Sequence, residues 1–212
     1  DVKGLDGTRQ ISFDSKQGLT IGAAVNMNQV IASADVQKHY PLLAESAHTI
    51  ASYQLRNRAT IVGNICNASP AGDTIGACIA YEGRLHVHGI NGSRVETLDT
   101  FFLGPGQTTL KAGDIVTAVS FPLPPQGHAG RYLKLGRNKL SDLSIVGVTA
   151  LGFADQSTAS GYRFRLVLAS VAPVPLVVKQ AEAFLTEKGL SEATIAEAAQ
   201  MAMDACAPID DV

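Results

Sequence analysis

The sequence predicts an α+β fold in two units, on three observations. Early segments mix two periods: Ile11-Ser12-Phe13 and Leu19-Thr20-Ile21 have the apolar–polar–apolar order of strands, whereas Leu42, Leu43, Ala47, Ile50 and Ala51 recur at helical spacing. The run Pro122-Leu123-Pro124-Pro125-Gln126-Gly127 then breaks both periods and reads as a linker. Beyond it the pattern changes to longer strands followed by two helices. The boundary is placed between residues 1–125 and 126–212, with no internal repeat.

The elements follow in order. Ser15-Lys16-Gln17-Gly18 turns between the first two strands. Asn26 is an N-cap for a helix through Val30 and Ile31, and Pro41 suits the first turn of the next helix. Ser69-Pro70 reads as the N-cap and first residue of a short helix carrying Ile75, Cys78 and Ile79 on one face. Asn91-Gly92 marks a hairpin between residues 85–88 and 93–96, and residues 115–121 form a strand. In the second unit, residues 132–135, 145–153 and 162–171 predict a three-stranded antiparallel sheet, with a polar turn at 155–161. A helix over 176–188 stops at Gly189, and another, capped by Ser191, ends before Pro208.

Composition excludes several function classes. With 212 residues, 46% hydrophobic and 17% charged, the chain can bury a core. A net charge of −2 without a block of one sign argues against nucleic-acid binding by phosphate neutralisation. No apolar run reaches the ~18 residues of a membrane span. Cys66, Cys78 and Cys206 fit neither zinc nor iron–sulfur spacing, and the odd count argues against a disulfide framework, so a reducing cytoplasm is the expected setting. No signal-peptide pattern opens the sequence, which begins at Asp1 rather than Met.

Several chemistry-bearing motifs have plainer readings. His86 and His88 share one face of a strand but lack a third ligand nearby, and read as structural or solvated. Cys66 has apolar flanks and no activating base in sequence, and reads as a buried, inert thiol. Gly104-Pro105-Gly106-Gln107-Thr108-Thr109 resembles a dinucleotide loop, but no helix follows it, so a structural turn is favoured. No nucleophile elbow or Walker motif is present.

The segment 58–73, RATIVGNICNASPAGD, is different. Ala59, Gly63, Ala68, Ala71 and Gly72 keep side chains out of the way, Gly63 permits a positive φ, and Asn64, Asn67 and Ser69 offer short polar groups. A helix beginning near Pro70 would present free N–H groups, which suit a phosphate or a polyhydroxylated chain, with Asp73 accepting from hydroxyls. A strand-to-helix turn in which Asp73 only favours the helix start explains the same residues. On the residues alone, both readings stand.

The segment also carries a resemblance. Arg56-Asn57-Arg58-Ala59-Thr60-Ile61-Val62-Gly63-Asn64, followed by Asn67-Ala68-Ser69-Pro70 and Asp73-Thr74, resembles the flavoprotein (medium) subunit of molybdenum hydroxylases, the family of carbon monoxide dehydrogenase and xanthine dehydrogenase. Gly18-Leu19-Thr20-Ile21-Gly22-Ala23, Phe101-Phe102-Leu103-Gly104-Pro105-Gly106 and Tyr132-Leu133-Lys134-Leu135 with Arg137 agree, in the family's order, over nearly the whole chain. The resemblance implies an FAD-binding α/β domain of the PCMH type, followed by the carbon monoxide dehydrogenase flavoprotein C-terminal domain. It implies flavin contacts at Thr60, Ile61, Val62, Gly63, Asn64 and Cys66, a carboxylate at Asp73, an apolar ring contact at Val116 and a cation at Lys134, which without the resemblance reads as a solvated strand lysine. A cation there would stabilise negative charge on reduced flavin.

The resemblance further implies partners: a molybdenum-binding large subunit and an iron–sulfur small subunit, whose electrons reach FAD here and leave to NAD, quinone or oxygen. No catalytic acid or base is expected in such a chain. Three departures stand out. Val62 replaces the family's usual second glycine, and Leu143 stands near an aromatic shield of some members. The family also implies roughly fifty residues ahead of Asp1, within ordinary domain size, including a pyrophosphate-cradling N-terminal subdomain, and a final helix past Val212. This chain alone is therefore expected to hold FAD weakly or not at all. The alternative is a structural or assembly module that does not bind flavin in this form.

Overall fold

The computed structural model describes residue 2 and residues 4–138 and 142–210. Strands β1 (Ile11–Asp14), β2 (Gly18–Gly22), β3 (Arg84–Gly89), β4 (Gly92–Thr97), β5 (Phe102–Gly104), β6 (Gln107–Thr108) and β7 (Ile115–Phe121) precede the linker. Strands β8 (Ala129–Leu135), β9 (Val146–Ala154), β10 (Tyr162–Ala169) and β11 (Leu176–Val177) follow it. The helices are α1 (Met27–Ala32), α2 (Ala34–His39), α3 (Pro41–His48), α4 (Tyr53–Arg56), α5 (Ile61–Asn67), α6 (Ile75–Ala80), α7 (Lys179–Lys188) and α8 (Glu192–Asp204). One antiparallel sheet runs β1-β2-β7-β3-β4, another β11-β10-β9-β8, and β5–β6 is a small hairpin.

The α+β class is observed. Asn26 caps α1 in a reciprocal capping box with Gln29, Pro41 opens α3, and Ser191 caps α8 with Thr194. The β3–β4 hairpin forms with Ile90 and Asn91 as its loop, because Gly89 pairs with Gly92. Three short helices were not expected, α2, α4 and α5; Ser33 ends α1 and its side chain caps α2.

Three expectations are corrected. The second sheet has four strands, not three, because Leu176 and Val177 pair with Leu168 and Val167 instead of starting the helix. Residues 61–67 form α5 rather than a glycine turn, with Ile61, Val62 and Ile65 buried. Gly63 and Val62 therefore have no positive φ, and the valine is accommodated without strain; the left-handed residue is Ala68, at φ 47°. Ser69-Pro70 lies in a turn, and the following helix begins at Ile75 behind Thr74.

The main core continues from the first sheet (Leu19, Ile21, Val119) through Leu43, Ile65 and Cys78 to Leu151 of the second sheet. Helices α3 and α6 pack on the inner face of the second sheet. Gly76 makes that approach possible, because a Cβ there would collide with Thr149 Oγ1. On the outer face, α7 and α8 bury a smaller cluster including Leu168, Val178 and Leu185. Among the described residues no helix is long and apolar enough to cross a membrane.

An ion pair pins the outer edge of the first sheet. Arg94 donates to Asp114 through Nη1 (3.1 Å) and Nη2 (2.6 Å), and the Lys111 N–H donates to the same carboxylate (2.8 Å). The Arg94 hydrogen bonds, then the Lys111 N–H, hold the Asp114 pKa down at about 2. Its ordinary unfolded value is ~3.9, so the stabilisation is complete above that pH and is lost as pH falls through the folded value. In urea unfolding, wild type should exceed Asp114→Asn in stability at pH 6, with the gap closing between pH 4 and 2. A gap independent of pH would contradict this.

Candidate functional site

The loop from Ala68 to Thr74 joins α5 to α6 and is held from several sides. Gly106 N–H donates to Ala68 O at 3.0 Å, and Ser170 N–H donates to Pro70 O at 2.9 Å. Thr74 Oγ1 donates to Asn64 Oδ1 at 2.7 Å, tying the end of the loop to α5. These bonds satisfy backbone and side-chain groups that a buried loop would otherwise leave unpaired.

At the end of that loop sits Asp73, 8% exposed. Its two oxygens take different donors from β8. Tyr132 Oη donates to Oδ1 at 2.6 Å, and Lys134 Nζ donates to Oδ2 at 2.8 Å. Residues two apart on a strand share a face, so β8 presents both donors side by side. Lys134 also points toward Thr49 O at 3.5 Å and its side chain is only 14% exposed. The solvated-lysine reading is thereby corrected: the ammonium is ion-paired in a largely water-excluded place. Burial first, then the Asp73 charge, pushes the Tyr132 phenol far above its ordinary range, so it remains a donor.

The other predicted residues fall into two groups. Thr60 is the N-cap of α5, and its hydroxyl accepts from Gly63 N–H at 2.9 Å. Gly63 is exposed, and apart from its own helix backbone a Cβ there would meet, among the described residues, Thr60 Oγ1, so the first turn of α5 offers bare backbone. Asn64 belongs to the Asp73 cluster through Thr74. By contrast, Ile61 and Val62 turn their side chains into the core. Val116 is 6% exposed on β7, paired with Val87 beyond a bulge, and packs in that core rather than in the polar cluster. Cys66 is half-buried, and burial pushes its thiol up to about 11, far from a nucleophile's range. Tyr132 was missed as a site residue; its signal was period-two spacing from Lys134.

His86 bonds Ser120 Oγ and His88 bonds Ser93 Oγ, which occupies one ring nitrogen of each histidine. An apolar cavity of about 830 Å³ lies between the outer face of β8–β10 and α8, with Val148, Leu166, Ile195 and Met203 among its walls. Lys134 and Asp73 do not line it.

Residues 1–124 match the FAD binding domain in molybdopterin dehydrogenase, and residues 131–212 match the CO dehydrogenase flavoprotein C-terminal domain. The chain belongs to the flavoprotein-subunit family of molybdenum hydroxylases. It is thereby an FAD-binding, electron-transfer component of an oxidoreductase. The carbon monoxide dehydrogenase medium chain of Hydrogenophaga pseudoflava is 34% identical over 194 residues, 92% of this chain and 67% of that protein. The xanthine dehydrogenase FAD-binding subunit of Escherichia coli O157:H7 is 30% identical over 209 residues, 98% of this chain and 71% of that one. The solved carbon monoxide dehydrogenase of Hydrogenophaga pseudoflava superposes with a TM-score of 0.89 at 33% identity, covering 96% of this chain and 70% of that chain. Quinoline 2-oxidoreductase from Pseudomonas putida 86, at 23% identity and a TM-score of 0.84, shares the fold.

Removing Asp73 should strand two buried donors. Asp73→Ala is expected to cost about 3 kcal/mol of stability, as for a buried ion pair cut on one side, and Asp73→Asn less, because an acceptor remains. Chemical denaturation measures both; two variants as stable as wild type would show that the β8 donors find other partners.

Proposed function

We propose that the start of α5 and the Asp73–Lys134 pair form the part of the FAD site that this chain contributes. The observation that carries the reading is Lys134: an ammonium held by Asp73 at 2.8 Å, in a largely buried place beside a loop of small residues. The donor set fits such a cofactor. Gly63 leaves backbone open to close approach, Thr60 and Asn64 supply short polar groups, and Lys134 supplies a cation for an electron-rich edge. FAD, when bound, supplies the redox centre that accepts electrons from one partner and yields them to another.

On this reading the residues divide their work. Lys134 stabilises negative charge. Asp73 keeps the ammonium in place and offsets its charge while the cofactor is oxidised. Thr60 fixes the first turn of α5, and Ile61, Val62 and Val116 form the apolar floor under it. Cys66, high in pKa, packs. None of them needs to move a proton. The partners are a molybdenum-binding large subunit and an iron–sulfur small subunit, and the final acceptor is NAD, quinone or oxygen. The unit boundary is placed at 125/126, between β7 and β8. Three free thiols support a reducing, cytoplasmic setting.

A second reading concerns the 212-residue chain taken by itself. Both Asp73 oxygens already have partners within the chain, as expected of an assembly module that does not hold flavin in this form. Absorbance separates the two. Bound FAD gives the chromophore's band near ~450 nm, and on the flavin reading Lys134→Met weakens FAD binding roughly tenfold, the value of about one charge-assisted hydrogen bond. A protein that stays colourless after FAD is added back would favour the assembly reading.

A further inference from the structure

We infer that Tyr132 is a positioning residue of the flavin site, acting on the cofactor's redox equilibrium through Asp73 and Lys134 without touching the cofactor; this rests on the flavin reading above. Tyr132 is 4% exposed, and its hydroxyl donates to Asp73 Oδ1 at 2.6 Å, while Oδ2 is left to Lys134. A carboxylate on a loop has free rotation about its side chain unless both oxygens are held. Here the phenol fixes one, so the other is aimed at the ammonium.

The surroundings favour this orientation. Lys134 pairs with Gly147 on the neighbouring strand β9, and a Cβ at Gly147 would lie 2.7 Å from Tyr132 Oη and 3.2 Å from the ring. The glycine therefore makes the space in which the hydroxyl reaches Asp73. Ser144 lies beside the phenol and exchanges a hydrogen bond with Ser170 at 2.8 Å; Ser170 N–H in turn anchors the Asp73 loop at Pro70. Tyr132, Gly147, Ser144 and Ser170 all come from the second unit. They fix a carboxylate of the first so that it steers a cation of the second. A tyrosine serving only as core would not need its hydroxyl on the same carboxylate as the lysine.

The consequence is an energetic coupling. Without the phenol, Asp73 can rotate, Lys134 is held less firmly, and negative charge on the reduced cofactor is less stabilised. In the full-length, FAD-loaded protein, Tyr132→Phe should move the flavin midpoint potential to more negative values. The expected shift is about threefold to tenfold in the reduction equilibrium, up to about 30 mV for a two-electron couple. In the Lys134→Met background the same substitution should leave the potential unchanged, because the effect passes through the lysine. Gly147→Ala, which crowds the hydroxyl while retaining the tyrosine, should shift the potential in the same direction and serves if Tyr132→Phe does not fold. Equal shifts with and without Lys134, or no shift in a folded, flavin-loaded variant, would overturn the positioning role and leave the flavin site standing. Wild-type protein that takes up no FAD would overturn both.

Discussion

The structure depends on one carboxylate shared between two units. Asp73 belongs to the loop before α6, yet both its hydrogen-bond donors, Tyr132 and Lys134, come from β8 after the linker. The charge is buried and paired, a combination that costs desolvation and repays it only when the geometry is well formed. The geometry is over-determined: the Asp73 loop is tied at Ala68 by Gly106, at Pro70 by Ser170 and at Thr74 by Asn64. Remove the carboxylate and two donors lose their partner at once. The contact is thus both a joint between units and a holder for a cation.

Packing makes the joint possible. Helices α3 and α6 pack on the second sheet and α5 on β7 of the first, and small residues set how near the second sheet comes. Gly76 lets α6 rest on Thr149, and Gly130 lets β8 approach Leu42. Aromatic contacts reinforce the seam beside the linker, where Tyr81 meets both Tyr40 and His128 edge-on. The core that joins the two sheets is continuous, and close packing of this kind resists a shift of one sheet against the other. The apolar cavity on the far face of the second sheet plays no part in this arrangement.

Much of the fold was legible because period and caps agreed. The β1–β2 and β3–β4 hairpins, β7, the long strands of the second sheet, the Asn26 and Ser191 caps and the Gly189 stop all follow from local rules. Where local propensity and tertiary burial conflict, burial prevailed. Thr60-Ile61-Val62-Gly63 is a poor helix former by propensity, yet Ile61, Val62 and Ile65 lie on one helical face and enter the core. Leu176-Val177 sits beside a strand edge and pairs with it before α7 can begin. Asp73 was a candidate on its local sequence and Lys134 by resemblance, but their direct contact, and the Tyr132 hydrogen bond beside it, needed the fold: Asp73 and Tyr132 stand 59 positions apart, and no local pattern reports such a pairing.

The most direct measurement is a crystal structure of the full-length protein with FAD bound. The flavin should lie against the first turn of α5, with Lys134 Nζ within hydrogen-bond reach, about 3 Å, of the isoalloxazine edge, and with Tyr132 still donating to Asp73. A flavin bound elsewhere, with the Asp73–Lys134 pair turned away from it, would contradict the assignment of this pair to the cofactor site.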